Sequence, residues 1–209
     1  MPNNIGEWIS IGEGEYGLRC ITGKVRISDV DDFLAVLKAI AHRYSVTIQA
    51  MDAELIAGEA HIKSAVQKAL RAIRQGNSIT SDLSMEVLLY AAGRRQIERA
   101  LAMGVSTGDN KKIVVVIIDV DNKHKDLDAI AREIKQRIGL EEQPIEDLEL
   151  ESETESESET ETKTKTNTEE KRNKLMRFFN ITDAEIEAVG ERKLKMLVLE
   201  RVALLEVYK

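Results

Sequence analysis

Cysteine is nearly absent from this chain, Cys20 being the single one. That excludes an intramolecular disulfide and a metal centre built on several thiolates. Cys20 alternates with Tyr16 and Leu18 in a stretch of strand character, which predicts a buried thiol with a packing role. Long apolar runs are missing too. The longest, Ile113–Ile118, is far too short to cross a bilayer. The first ten residues, MPNNIGEWIS, have neither the basic region nor the apolar region of a secretory signal. A cytoplasmic protein with no membrane contact is the expectation. Aromatic residues make up only 4% of the chain, so extensive base stacking on a nucleic acid is not expected.

Catalytic signatures are scarce. There is no GxxxxGK[ST] phosphate loop and no GxSxG turn. His42, His61 and His124 are far apart, and none has a metal-ligand neighbour at the usual spacing. His61, at the start of a helix, reads as an ordinary surface or half-buried histidine. The best enzymatic suspect is Asp119-Val120-Asp121, directly after an apolar strand. Carboxylates at a strand's carboxyl end can hold Mg²⁺ for small-molecule chemistry. The same residues serve equally as the turn into the next helix. No catalytic residue, metal or cofactor is assigned.

What the chain does hold is unevenly spread. Residues 141–170 contain 13 acids against 2 lysines, a local charge of −11 that leaves +4 for the other 179 residues. A mildly basic body carrying an acidic tract is compatible with a phosphate-bearing partner. The centre of the tract, ESETESESETETKTKTNTEE, has almost nothing to bury. It is expected to be a disordered insert over 141–170, within a single domain formed by 1–140 and 171–209.

Around the tract, periodicity predicts an α/β fold: a small mixed β-sheet packed with several α-helices. Trp8–Ile11 suits an edge strand, and Tyr16–Ile27 a strand with a break at Gly23. Ser28 or Asp29 caps a helix through about Ala41, and Val46–Ala50 alternates like a strand with one wet face. Ile62, Ala65, Val66, Ala69, Leu70 and Ile73 form one helical stripe, closed by Gly76. Ile113–Ile118 does not alternate and predicts a central strand covered on both faces. A helix from Leu127 ends at Gly139. Beyond the tract, Thr182-Asp183-Ala184-Glu185 is a capping box with Ile181 and Ile186 as its staple. The last helix carries Leu194, Leu197, Val198, Val202 and Leu205 on a face that needs a partner surface.

One stretch combines a polar turn, an apolar helix and a basic segment: NSITSDLSMEVLLYAAGRRQI, Asn77–Ile97. Thr80 or Ser81 can cap the helix, Asp82 and Glu86 complement its positive end, and Gly93 can end it in a left-handed conformation. Arg94 and Arg95 then begin a helix running to about Met103, with Ile97, Ala100 and Leu101 facing inward. Two cations at a helix start oppose its dipole, which points either to a bound anion or to pairing with surface carboxylates.

Three stretches, DAELIAGEAH from Asp52 to His61, Asn77–Ile97, and LERVALL from Leu199 to Leu205, together resemble the archaeal small kinase-binding subunits of the KEOPS complex, the TPRKB-like family. The resemblance covers about 16–139 and 174–207 and leaves out the acidic tract. It implies a non-catalytic subunit that binds and stimulates the KEOPS kinase/ATPase, and through it joins the rest of the complex. It further implies recruitment of tRNA by its single-stranded 3′ CCA end, in support of threonylcarbamoyladenosine modification. Within the matching stretch, Asn77, Ser78, Ser81 and Gln96 are candidates to bond base edges or ribose, and Ile79 to pack on a base. Arg71, Arg74, Arg94 and Arg95 are candidates for phosphates. The alternative for Arg71 and Arg74, and the one the sequence favours, is a solvated helix face. The kinase-binding surface is not assigned. The rival readings are a Mg²⁺-dependent enzyme on Asp119 and Asp121, and an interaction module without RNA.

Overall fold

The computed structural model describes residues 6–11, 14–121, 124–149, 161–190 and 193–207. Among these residues the strands are β1 (Gly6–Ile11), β2 (Gly14–Ile27), β3 (Thr47–Asp52), β4 (Gly108–Asp119) and β5 (Glu141–Gln143). The helices are α1 (Val30–Tyr44), α2 (Glu59–Arg74), α3 (Leu83–Ala92), α4 (Ile97–Ala100), α5 (Leu127–Ile138), α6 (Glu161–Phe179), α7 (Asp183–Val189) and α8 (Leu194–Val207). None among the described residues is long and apolar enough to cross a membrane.

The apolar run of β4 lies at the middle of the sheet, whose order is β1-β2-β4-β3. Ile113, Val115 and Ile117 enter one core, with Phe33, Leu37 and Ile40 of α1 and Ile130 and Ile134 of α5. Val114, Val116 and Ile118 enter the other, with α2, α3 and the tail helices. Six consecutive side chains are thus buried without alternation, at about 2 kcal/mol of transfer free energy each. Cys20 lies opposite Val116 and is buried in the second core, a packing residue as its alternation requires.

Where a mixed sheet was expected, every described pairing is antiparallel. The reason lies in the crossover. The chain leaves β2, forms α1 and returns as β3 parallel to β2, but β4 inserts between the two and runs against both. Gly23 does not break β2. A Cβ at Gly23 would come within 2.3 Å of the Glu141 carbonyl oxygen, so the glycine admits β5 against the strand. Thr22 Oγ1 beside it donates to the Gln143 carbonyl at 2.6 Å.

That pairing moves the expected boundary of the acidic insert. Residues 141–149 are part of the packed domain, because Ile145 and Leu148 are buried and give the segment apolar surface to hide. Lys171 Nζ of α6 donates to the Leu148 carbonyl at 2.7 Å. Residues 150–160, the centre of the expected disordered tract, lie outside the described residues. The chain is helical again from Glu161, earlier than composition suggests. The tail then closes the second core: Leu175 and Phe179 of α6, Ile186 of α7, and Leu194 and Val198 of α8 are all buried there. The capping box and its staple form as read, with Thr182 accepting from the Glu185 N–H and Ile181 and Ile186 buried.

Candidate functional site

Helices α2 and α3 make an antiparallel hairpin, and its geometry decides which candidate residues can act together. His61 at the start of α2 lies against Ala91 at the end of α3, with Nε2 2.8 Å from the Ala91 carbonyl. The turn 75–82 is therefore at the opposite end from Gly93. The ten residues of α3 separate the two ends by about 15 Å.

At the turn end lie Arg71 and Arg74, both exposed, followed by exposed Asn77, half-buried Ser78 and Ile79, and exposed Ser81. Arg71 is 3.8 Å from Glu206 of α8, which also holds Lys68 at 2.9 Å. Ile79 packs partly against the core, so less of it is available to a base than its sequence suggests. The helix cap is Asp82, not Thr80 or Ser81. Its Oδ1 accepts from the Ser84 N–H at 2.9 Å, while Thr80 Oγ1 accepts from the Asp82 N–H.

The residue that shapes this turn was not among the candidates. Glu86 is fully buried, and its carboxylate accepts from the Ile79 N–H at 3.1–3.2 Å and from the Thr80 N–H at 3.1 Å. From the sequence alone it reads as a dipole partner of α3. The available signal was its setting: an acid inside Met85-Glu86-Val87-Leu88-Leu89 must be buried with the helix, and a buried carboxylate requires donors.

The other end of the hairpin dissolves the dipole misfit. Gly93 is left-handed as expected, at φ 59° and ψ 34°, but α4 starts only at Ile97 and is four residues long. Arg94 and Arg95 precede it. Arg94 Nη2 donates to the carbonyl of Phe178, in the last turn of α6, at 2.6 Å. A cation at that end satisfies an orphan carbonyl and favours the dipole of α6. Arg94 is thus a tie between α3 and the tail, while Arg95 and Gln96 are exposed there. Ala100 and Met103 take the buried positions, leaving Ile97 and Leu101 exposed instead of inward. Arg94→Ala is expected to lower stability by about 1–2 kcal/mol, and Arg95→Ala to leave it within about 0.5 kcal/mol, in urea unfolding.

The base of the same hairpin holds two further charged or polar groups. His61 is fully buried between the Ala57 N–H, which bonds Nδ1 at 3.2 Å, and the Ala91 carbonyl; Phe179 packs edge-on against its ring. This corrects the expected surface or half-buried position. Burial is the main cause that pushes its pKa down to about 4, so the ring is neutral at pH 7 with its proton on Nε2. The N-terminus of α2 has no cap of its own at Gly58. Glu149 supplies one, accepting from the Glu59 N–H at 2.9 Å and pairing with Lys195 at 2.5 Å. An internal anion thus already fills that helix end.

Asp119 is built as a turn. Its carboxylate is fully buried and takes Lys125 Nζ at 2.9 Å, the Lys125 N–H at 3.2 Å and the Asp121 N–H at 3.3 Å. Burial alone would raise its pKa, but the ammonium and the N–H donors outweigh that and hold it below the usual range. The Lys125 ammonium thus supplies a counter-charge to this carboxylate from within the chain.

Geometry and packing define an α/β protein with a two-faced antiparallel sheet, whose polar turn and basic helix end lie at one tip of a helical hairpin. The chain belongs to the family described as kinase binding protein CGI-121, whose sequence profile matches residues 27–206. A comparison with curated proteins found no match.

Proposed function

We propose that this protein is a non-catalytic subunit of the KEOPS complex, located in the cytoplasm. It binds and stimulates the kinase/ATPase of the complex and recruits tRNA through the 3′ CCA end, in support of threonylcarbamoyladenosine formation. Membership in a kinase-binding family supports the first part. The observation that carries the second is the tip of the α2–α3 hairpin. There, Asn77, Ser78 and Ser81 lie on a turn held from beneath by Glu86, with Arg71 and Arg74 exposed one helical turn away. Side chains that bond base edges and ribose, flanked by cations for phosphate, are what an unpaired RNA end requires. Arg95 and Gln96, about 15 Å off at the far end of α3, would contact a more distant part of the RNA.

The test is binding of tRNA with and without its CCA end, beside capture of the cognate kinase and its ATPase rate. The intact tRNA should bind more tightly, and the protein should raise the ATPase rate. Arg71→Gln with Arg74→Gln should weaken tRNA binding about tenfold and flatten its log–log salt slope by about 0.7 per lost contact to a single strand. Kinase capture should be unchanged. Equal affinity for both tRNAs would refute end recognition while leaving kinase binding standing.

A further inference from the structure

The N–H groups of Ile79 and Thr80 converge on one point, and the Glu86 carboxylate occupies it. Successive backbone N–H groups aimed at one position form an anion-binding concavity, the device by which many loops hold phosphate. Here the anion is internal, fully buried and covalently part of α3. The remaining polar groups of the turn's end bond to one another at the surface. Thr80 Oγ1 accepts from the Asp82 N–H, and Asp82 Oδ1 takes both the N–H and the hydroxyl of Ser84. Among the described residues, no side-chain bond within the protein holds Asn77, Ser78 or Ser81. The turn thus holds the Ile79 and Thr80 N–H groups inside, while the neutral side chains of Asn77 and Ser81 are exposed and that of Ser78 is half-buried.

We propose that Glu86 is a positioning residue that makes the turn Asn77–Ser81 a reader of neutral base and ribose edges, by filling with its own carboxylate the backbone site that a phosphate would otherwise take. The inference rests on the RNA-end reading above and assigns the division of labour within that site. Arg71 and Arg74 take the phosphates at the rim, and the turn takes the unpaired bases. A phosphate at the turn itself would find its donors occupied and a buried negative charge behind them.

The test uses the full chain and two short single-stranded RNAs, one ending in CCA and one lacking those three nucleotides, at several salt concentrations. Glu86→Gln keeps the shape but replaces a charged acceptor by a weaker neutral one. The Ile79 and Thr80 amides should then exchange with solvent faster. Affinity for the CCA-ended RNA should fall about tenfold, as for the loss of one well-placed hydrogen bond, and the end preference should shrink. The salt slope should not change, because no phosphate contact is lost. Glu86→Asp, which keeps the charge but is one methylene short, should not restore the preference. The surface pair Asn77→Ala and Ser81→Ala leaves the core untouched and should likewise lose the preference with an unchanged slope. This pair keeps the inference testable if the Glu86 variants fail to fold. A preference retained in Glu86→Gln despite faster exchange overturns the inference, as does one retained in the surface pair, or a flattened slope in either. A wild-type protein that binds both RNAs alike refutes the RNA reading itself, before any variant is compared.

Discussion

His61→Ala is expected to lower the free energy of unfolding by about 3–4 kcal/mol, a large share of the stability of a domain this size. Three losses combine. The Ala57 N–H and the Ala91 carbonyl lose their partner in a site without solvent access, and the edge-on contact with Phe179 goes with the ring. These groups belong to the segment leading into α2, the end of α3 and the last turn of α6, so the His61 side chain of α2 joins three helices.

The same residue gives the protein an acid-sensitive element whose sign follows from burial. The folded-state pKa is about 4, against an ordinary histidine value of 6.5. Between these values the unfolded chain binds a proton that the folded chain refuses, so stability falls as pH drops from about 6.5 to about 4. Above 6.5 the contribution is constant, and below 4 this group removes nothing further. The shift corresponds to about 3 kcal/mol across the window. Urea unfolding from pH 7 to pH 4 reads it directly. In a non-titrating variant such as His61→Gln, lower in stability throughout, this part of the pH dependence should be absent. A wild-type profile flat over that range would mean that the ring is solvated.

The second large effect is expected at Gly23→Val. Its Cβ would overlap the Glu141 carbonyl oxygen at 2.3 Å and crowd Leu140 at 2.9 Å, and a backbone oxygen cannot turn aside as a flexible side chain can. β5 must therefore separate from β2. Its release breaks the Thr22–Gln143 bond and loosens Ile145 and Leu148, the buried side chains of the segment that follows it. A loss of about 3 kcal/mol is expected, as for partial exposure of two large apolar side chains plus one bond. Faster amide exchange should be confined at first to residues 141–149 and their partners in β2. Variants with unaltered exchange there would show that the strand tolerates the bulk. Residues 141–149 thus act as part of the domain despite a composition that suggests a disposable insert.

Periodicity was enough to find most helices and to recognise β4 as central, since a six-residue apolar run is stable only between two covering layers. Local caps were equally legible at Gly93 and Thr182, because their chemistry involves neighbours in sequence. The candidate site was legible in kind but not in extent. Composition indicated a polar turn and arginines, yet Arg94 and Arg95 adjoin that stretch only along the chain.

What tertiary structure alone decided are the contacts between distant residues. The antiparallel hairpin puts the turn and the two arginines about 15 Å apart. The arrival of α6 turns Arg94 from an apparent misfit into a partner of the Phe178 carbonyl. Packing of α2 against α3 and α6 makes His61 a buried, neutral bridge, and β5 against Gly23 draws acidic residues into the fold. In each case the local pattern is compatible with several environments. Burial selects among them, because a polar group removed from water must find a partner wherever the fold brings one.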